Sequence, residues 1–66
     1  MNQKQAIELL YSKYGKLYLT KEETSNELGL CIATIDRMRN EGKIKSSKIK
    51  GSIKFSLNEV VKFIDN

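Results

Sequence analysis

Histidine and proline are absent, cysteine occurs once, at Cys31, and glycine only four times. Without histidine there is no His/Cys metal site, and the commonest general base is missing. A lone cysteine closes no internal disulfide, so these 66 residues must fold on a small apolar core. That usage also fits a reducing, intracellular setting. No apolar run approaches the roughly 18 residues of a membrane span. Glu8 interrupts the short apolar stretch near the N-terminus, so no signal peptide is expected. Nothing supplies an activated nucleophile, a metal cage or a phosphate loop, so neither catalysis nor a cofactor is expected.

What the chain does have is unevenly placed positive charge. The net charge is +4. Residues 43–56 carry five lysines (43, 45, 48, 50 and 54) and no acid, whereas residues 20–42 carry three bases and five acids. A localised cationic segment attracts a polyanion over a distance set by salt. The plainer reading is a solvated lysine-rich loop.

Residues 3–14 read as a helix. Ile7, Leu10, Tyr11 and Tyr14 fall at i, i+3, i+4, i+7, and Gly15 stops the pattern. This stripe is expected to pack on the core; alternatively, Tyr11, Tyr14 and Tyr18 form a dimer contact. Residues 16–19 are short and extended. Thr20 with Glu23 makes a capping box for a helix over about 21–28. Thr24 and Ser25 are small where a second helix would touch, Gly29 ends the first helix and Leu30 plugs the turn. A second helix over about 32–41 carries Ile35 and Met38 on one apolar stripe and ends at Gly42. The pair is a helix-turn-helix, and in a short basic chain it points to double-stranded DNA.

Residues 43–56 alternate and turn at Lys50-Gly51-Ser52, which predicts a hairpin. If Ile49, Ile53 and Phe55 share the buried face, Ile49 opposes Ile53 and the loop is residues 50–52. Lys48, Lys50 and Lys54 then face solvent or a ligand. Ser56 with Glu59 forms another capping box, and Leu57, Val60, Val61 and Ile64 mark a closing helix over 57–64. The expected fold is mainly α with a small β-hairpin: an N-terminal helix, a helix-turn-helix, a two-stranded wing and a C-terminal helix. The span 1–66 is expected to be one winged helix-turn-helix domain.

Several pieces together resemble the excisionase and MerR-like group of small winged-helix DNA-binding domains. They are Leu19-Thr20, Glu23, Leu28-Gly29-Leu30, Ala33-Thr34-Ile35, Arg37-Met38, Glu41-Gly42-Lys43-Ile44, and Lys48-Ile49 through Gly51 to Ile53-Lys54-Phe55. The resemblance covers roughly residues 18–64 and leaves the N-terminal helix outside. The sequence departs from the family's pattern at Cys31, where serine usually caps the second helix, and at Asp36, where an aromatic or basic residue is common. Lys45 stands for a frequent proline and Lys50 for one of two wing glycines.

The resemblance implies that the second helix enters the major groove and the wing tracks a neighbouring minor groove or the backbone. Ile32 and Ala33 would then touch a thymine methyl, Thr34 a base or phosphate, and Arg37 would fork onto guanine. Arg37 has two plainer roles, a phosphate contact or an ion pair with Glu41. Thr20, Lys21, Lys43, Lys48, Lys50, Ser52 and Lys54 are the backbone and wing candidates, giving affinity rather than sequence choice. Cys31 is either a thiol activated by the helix N-terminus or a small residue filling the turn.

The expected function is sequence-specific DNA binding by an excisionase-like accessory factor of a bacterial mobile element. Such a factor bends DNA, binds cooperatively or as a homo-oligomer, and biases an integrase or recombinase toward excision. It would sit on the nucleoid, in the cytoplasm. A small transcriptional regulator of the same fold is the alternative. A winged helix that docks protein is a second alternative, suggested by Asp36 and the acidic first helix of the pair.

Overall fold

The computed structural model describes residues 2–64; Met1 and the last two residues lie outside it. Helix α1 (Gln3–Tyr14) has the expected bounds, opens on an Asn2/Gln5 capping box that the sequence reading did not single out, and ends at Gly15. Strand β1 (Tyr18–Thr20) leads directly into α2 (Lys21–Leu28). Thr20 caps α2 as expected: its hydroxyl accepts from the Glu23 N–H at 3.1 Å, and the Glu23 carboxylate accepts from the Thr20 N–H at 2.9 Å. Gly29 closes α2 with φ 69°, a left-handed value that a side chain would strain. The Ser25 hydroxyl donates to the Leu30 carbonyl across the turn. Helix α3 (Ile32–Asn40) follows, with Glu41 as its C-cap.

The sheet has three strands rather than the two of an isolated wing. β2 (Ser47–Ile49) and β3 (Ser52–Ser56) form the hairpin, and β3 also pairs with β1, in the order β1-β3-β2. Leu19 lies opposite Phe55, and the Leu57 N–H donates to the Leu17 carbonyl at 3.0 Å, extending the ladder by one bond. The sequence gives no sign of this pairing, because β1 is three residues long and its partner is more than thirty residues away.

The hairpin register differs from the expected one. Ile49 opposes Ser52 and Lys48 opposes Ile53, so the loop is Lys50-Gly51 alone. Both take positive φ, 52° and 83°, the requirement of a type I′ turn. That two-residue turn matches the twist of paired strands, and it overrides the parity argument. Only Ile53 and Phe55 therefore face the core, and Ile49 lies on the other side of the sheet with Lys54 and Thr20. Lys48 shares the Ile53 side but sits exposed near the tip, where its ammonium stays in water.

Helix α4 is Leu57–Val61, shorter than the expected 57–64. The N–H groups of Lys62, Phe63 and Ile64 bond three residues back, a tighter winding common at helix ends. The second capping box is half made. The Ser56 hydroxyl accepts from the Glu59 N–H at 3.3 Å, but the Glu59 carboxylate takes the Lys45 N–H at 3.1 Å and the Lys62 ammonium at 2.8 Å instead.

The core gathers Ala6 and Leu10 of α1, Leu19 of β1, Ile35 of α3, Ile44, Phe55 of β3, and Leu57, Val60 and Val61 of α4. Leu28, Leu30, Met38, Ile7 and Tyr14 pack around it. Thr24 is fully buried on α2, where its small size lets α3 approach; its hydroxyl oxygen has no partner among the described residues. Helix α1 thus joins the core, and it is tied to α2 through Glu27. The Glu27 carboxylate accepts from the Tyr14 hydroxyl at 2.7 Å and the Lys13 ammonium at 3.0 Å. Among the tyrosines offered as a dimer contact, Tyr14 is therefore half-buried and engaged within the chain, while Tyr11 and Tyr18 are exposed.

Two outcomes follow from these contacts. Lysine pays a steric cost at φ 52°, so Lys50→Asn should raise the unfolding free energy by about 0.5–1 kcal/mol, read as a higher urea midpoint. The Tyr14–Glu27 bond should titrate at high pH. Glu27 pushes the Tyr14 hydroxyl up to about 12, above its unfolded value, so the stabilisation is complete below the ordinary tyrosine range and is lost as pH rises through that value. Tyr14→Phe should cost about 1 kcal/mol at neutral pH. It should also abolish the late step in tyrosinate absorbance.

Candidate nucleic-acid interface

On α3 the stripe of Ile35 and Met38 turns inward. Ala33, Arg37 and Asn40 are exposed, at i, i+4, i+7, and the half-buried Asp36 lies between Ala33 and Asn40 on the same side. Asn40 completes this outward face although the sequence reading did not single it out; the helical period alone places it there. Ile32 is exposed at the start of the helix. Thr34 is half-buried and flanks the other side, with its hydroxyl 3.2 Å from the Cys31 Sγ.

Cys31 is the N-cap of α3, but no side-chain hydrogen bond caps the helix. The thiol is exposed, so Leu30 and not Cys31 fills the turn. The Thr34 hydroxyl, then the backbone N–H groups of Thr34 and Ala33, hold the thiol below its usual range.

The wing comes close to this helix. A cleft of about 390 Å³ is lined by Thr20, Lys21 and Glu22 at the start of α2, by Ile32 at the start of α3, and by Gly51, Ser52 and Ile53 of the wing. The starts of both helices and the tip of the hairpin therefore open onto one concavity. The β1–β3 pairing brings this about, because Thr20, the last residue of β1 and the cap of α2, sits across from Lys54.

Ion pairing sorts the cations. Lys13, Lys16, Lys43 and Lys62 pair with Glu27, Glu23, Glu41 and Glu59, at 3.0, 2.9, 3.3 and 2.8 Å. Lys21 pairs with Asp36 at 3.0 Å, and Arg39 reaches the same oxygen at 3.5 Å. Those contacts, the Lys21 bond foremost, hold the Asp36 carboxyl below its usual range. Among the described residues, Arg37, Lys45, Lys48, Lys50 and Lys54 enter no ion pair, and neither does Lys4 at the start of α1. Of the two plainer roles for Arg37, the ion pair with Glu41 is not formed, since Glu41 turns to Lys43.

Of the residues expected to meet DNA, the structure brings Thr20, Lys21, Ile32 and Ser52 to one cleft. It leaves Ala33 and Arg37 outward on α3, and Lys48 and Lys50 exposed on the wing. Lys54 is half-buried on β3, and Lys43 is exposed but paired. Among the described residues no group of histidine, cysteine and acidic side chains is placed to hold a metal, and no helix is long and apolar enough to cross a membrane.

Comparison with known proteins matches residues 18–66 to the model of a family described as a helix-turn-helix domain. The match begins at the first residue of β1 and leaves α1 outside. Neither the curated proteins nor the solved structures give a match. With three quarters of its length matched and a winged helix-turn-helix in its fold, the chain belongs to this helix-turn-helix family, which is typical of excisionase-like small DNA-binding proteins.

Proposed function

We propose that the chain is an excisionase-like accessory factor of a mobile element, which binds specific duplex sites, bends them and directs a recombinase toward excision without catalysis of its own. The observation that carries this reading is the single cleft shared by the start of α3 and the tip of a wing whose lysines enter no ion pair among the described residues. On it, α3 lies in the major groove. Ile32 and Ala33 touch thymine methyls, Thr34 meets a base or phosphate, and Arg37 forks onto guanine. The α3 N–H groups, uncapped by any side chain, suit a phosphate oxygen. Thr20, Lys43, Lys48, Lys50, Ser52 and Lys54 serve the backbone, and Lys21 lies beside them at the cleft but is held by Asp36.

Binding as a cooperative array or homo-oligomer belongs to the same proposal. Ile7, Tyr11 and Leu17 line an open apolar groove on α1 and the following loop, which shares no residue with the cleft. A promoter-bound regulator would use the same DNA surface. The finding of an integrase gene next to this one would favour excision over regulation.

Gel-shift titration against duplex fragments from the gene's own neighbourhood tests the reading. The expected result is site-selective binding that weakens steeply with salt; no binding at low salt overturns it and favours a protein partner. Lys50→Ala should weaken all sequences alike and reduce the log–log salt slope by about 0.9. Arg37→Ala should cost about 1–3 kcal/mol at one base position and relax preference there. An equal loss on every sequence would make Arg37 a phosphate contact.

A further inference from the structure

We propose that Asp36 is a specificity-determining residue that acts by withholding cations: it occupies Lys21 and Arg39, and so keeps the helix-turn-helix face from binding phosphate indiscriminately. The inference rests on the DNA-binding reading above.

An acid on the outward side of α3 looks like a defect in a DNA reader. The geometry gives it a task. One Asp36 oxygen lies 3.0 Å from the Lys21 Nζ and 3.5 Å from an Arg39 Nη. Lys21 comes from the start of α2 and lines the cleft; Arg39 comes from the last turn of α3. The three side chains are each about a third exposed (29%, 33% and 29%), so solvent and a polyanion can both reach them. The Arg39 bond is at the limit of contact, and the buried Arg39 Nε has no partner among the described residues. Asp36 therefore holds two cations with one carboxylate, Lys21 closely and Arg39 loosely.

Phosphate contacts carry affinity without sequence information, so each additional cation offered to the backbone raises binding to every sequence equally. Occupying Lys21 and Arg39 removes up to two such contacts. Among the described residues, the cations that remain unpaired on α3 and the wing side are Arg37 and the lysines of the wing and its approach; Lys4 is unpaired too but lies on α1.

The test compares Asp36→Asn with Glu8→Gln in the full chain. Both remove one negative charge, but Glu8 lies on α1 beside Gln5, Leu9 and Ser12. Binding to a random-sequence duplex of about two helical turns is measured against salt, and elution from immobilised heparin gives a reading without DNA. Asp36→Asn should steepen the log–log slope on random duplex by about 0.9 to 1.8 and raise low-salt affinity several-fold. It should elute later from heparin than Glu8→Gln. The double variant Asp36→Asn with Lys21→Ala should lose at least half of that gain.

Equal effects of Asp36→Asn and Glu8→Gln would reduce the phenomenon to net charge and overturn the inference. An unchanged slope would do the same. Should Asp36→Asn lose helical circular dichroism, Asp36→Ser carries the same expectation. Failure of the wild type to bind any duplex at low salt would sink the DNA reading itself, while the heparin comparison would still decide whether Asp36 withholds cations.

Discussion

Three residue pairs, Tyr18–Ser56, Leu19–Phe55 and Thr20–Lys54, tie the helix-turn-helix to the wing. Everything at the candidate interface depends on that short ladder. Thr20 ends β1 and begins α2, so the direction in which α2 leaves the sheet is set within one residue. The α2–α3 turn, closed by Gly29 and the Ser25–Leu30 bond, then sets α3 against α2. Leu19 and Phe55 are fully buried at the centre of the ladder, and burying side chains of that size stabilises by roughly 1.5–3 kcal/mol each. A chain of this length has few other such residues, and the same few that hold the fold also orient the interface.

Polar ties complete what a small core leaves loose. Glu27 joins α2 to α1, Glu59 joins α4 to the start of the wing, and Asp36 joins α3 to α2. Exposed or half-exposed pairs of this kind contribute little each. Their larger effect is on the electric field. By engaging cations elsewhere they leave most of the unpaired ones among the described residues at Arg37 and on the wing and its approach, with Lys4 on α1 the exception, so the polarity of the molecule is sharper than its net charge of +4 suggests.

Local signals were legible in the sequence, and distant ones were not. The bounds of α1 and α2, the Thr20–Glu23 box, the Gly29 turn and the inward Ile35 all follow from residues within four positions of one another. The hairpin register did not, because its turn places lysine rather than asparagine or glycine at a left-handed position, which hid the type I′ geometry at Lys50. The pairing of β1 was illegible for lack of length, and the fate of the Glu59 carboxylate because its competing donor, the Lys45 N–H, is fourteen residues away. At the candidate site, the outward placement of Ala33 and Arg37 was readable from helical period. The neutralising of Asp36 by Lys21 was not, since it needs the crossing of two helices.

The central claim is that α3 and the wing tip form one DNA-facing surface, held together by β1–β3 pairing. Amide chemical-shift mapping of the full chain during titration with a duplex tests it most directly. The account predicts that, on a duplex too short to hold two copies, residues 32–40 and 50–54 shift together along one binding curve, with residues 3–12 of α1 unmoved. Shifts centred on α1, or a wing that responds while α3 stays still, would contradict it.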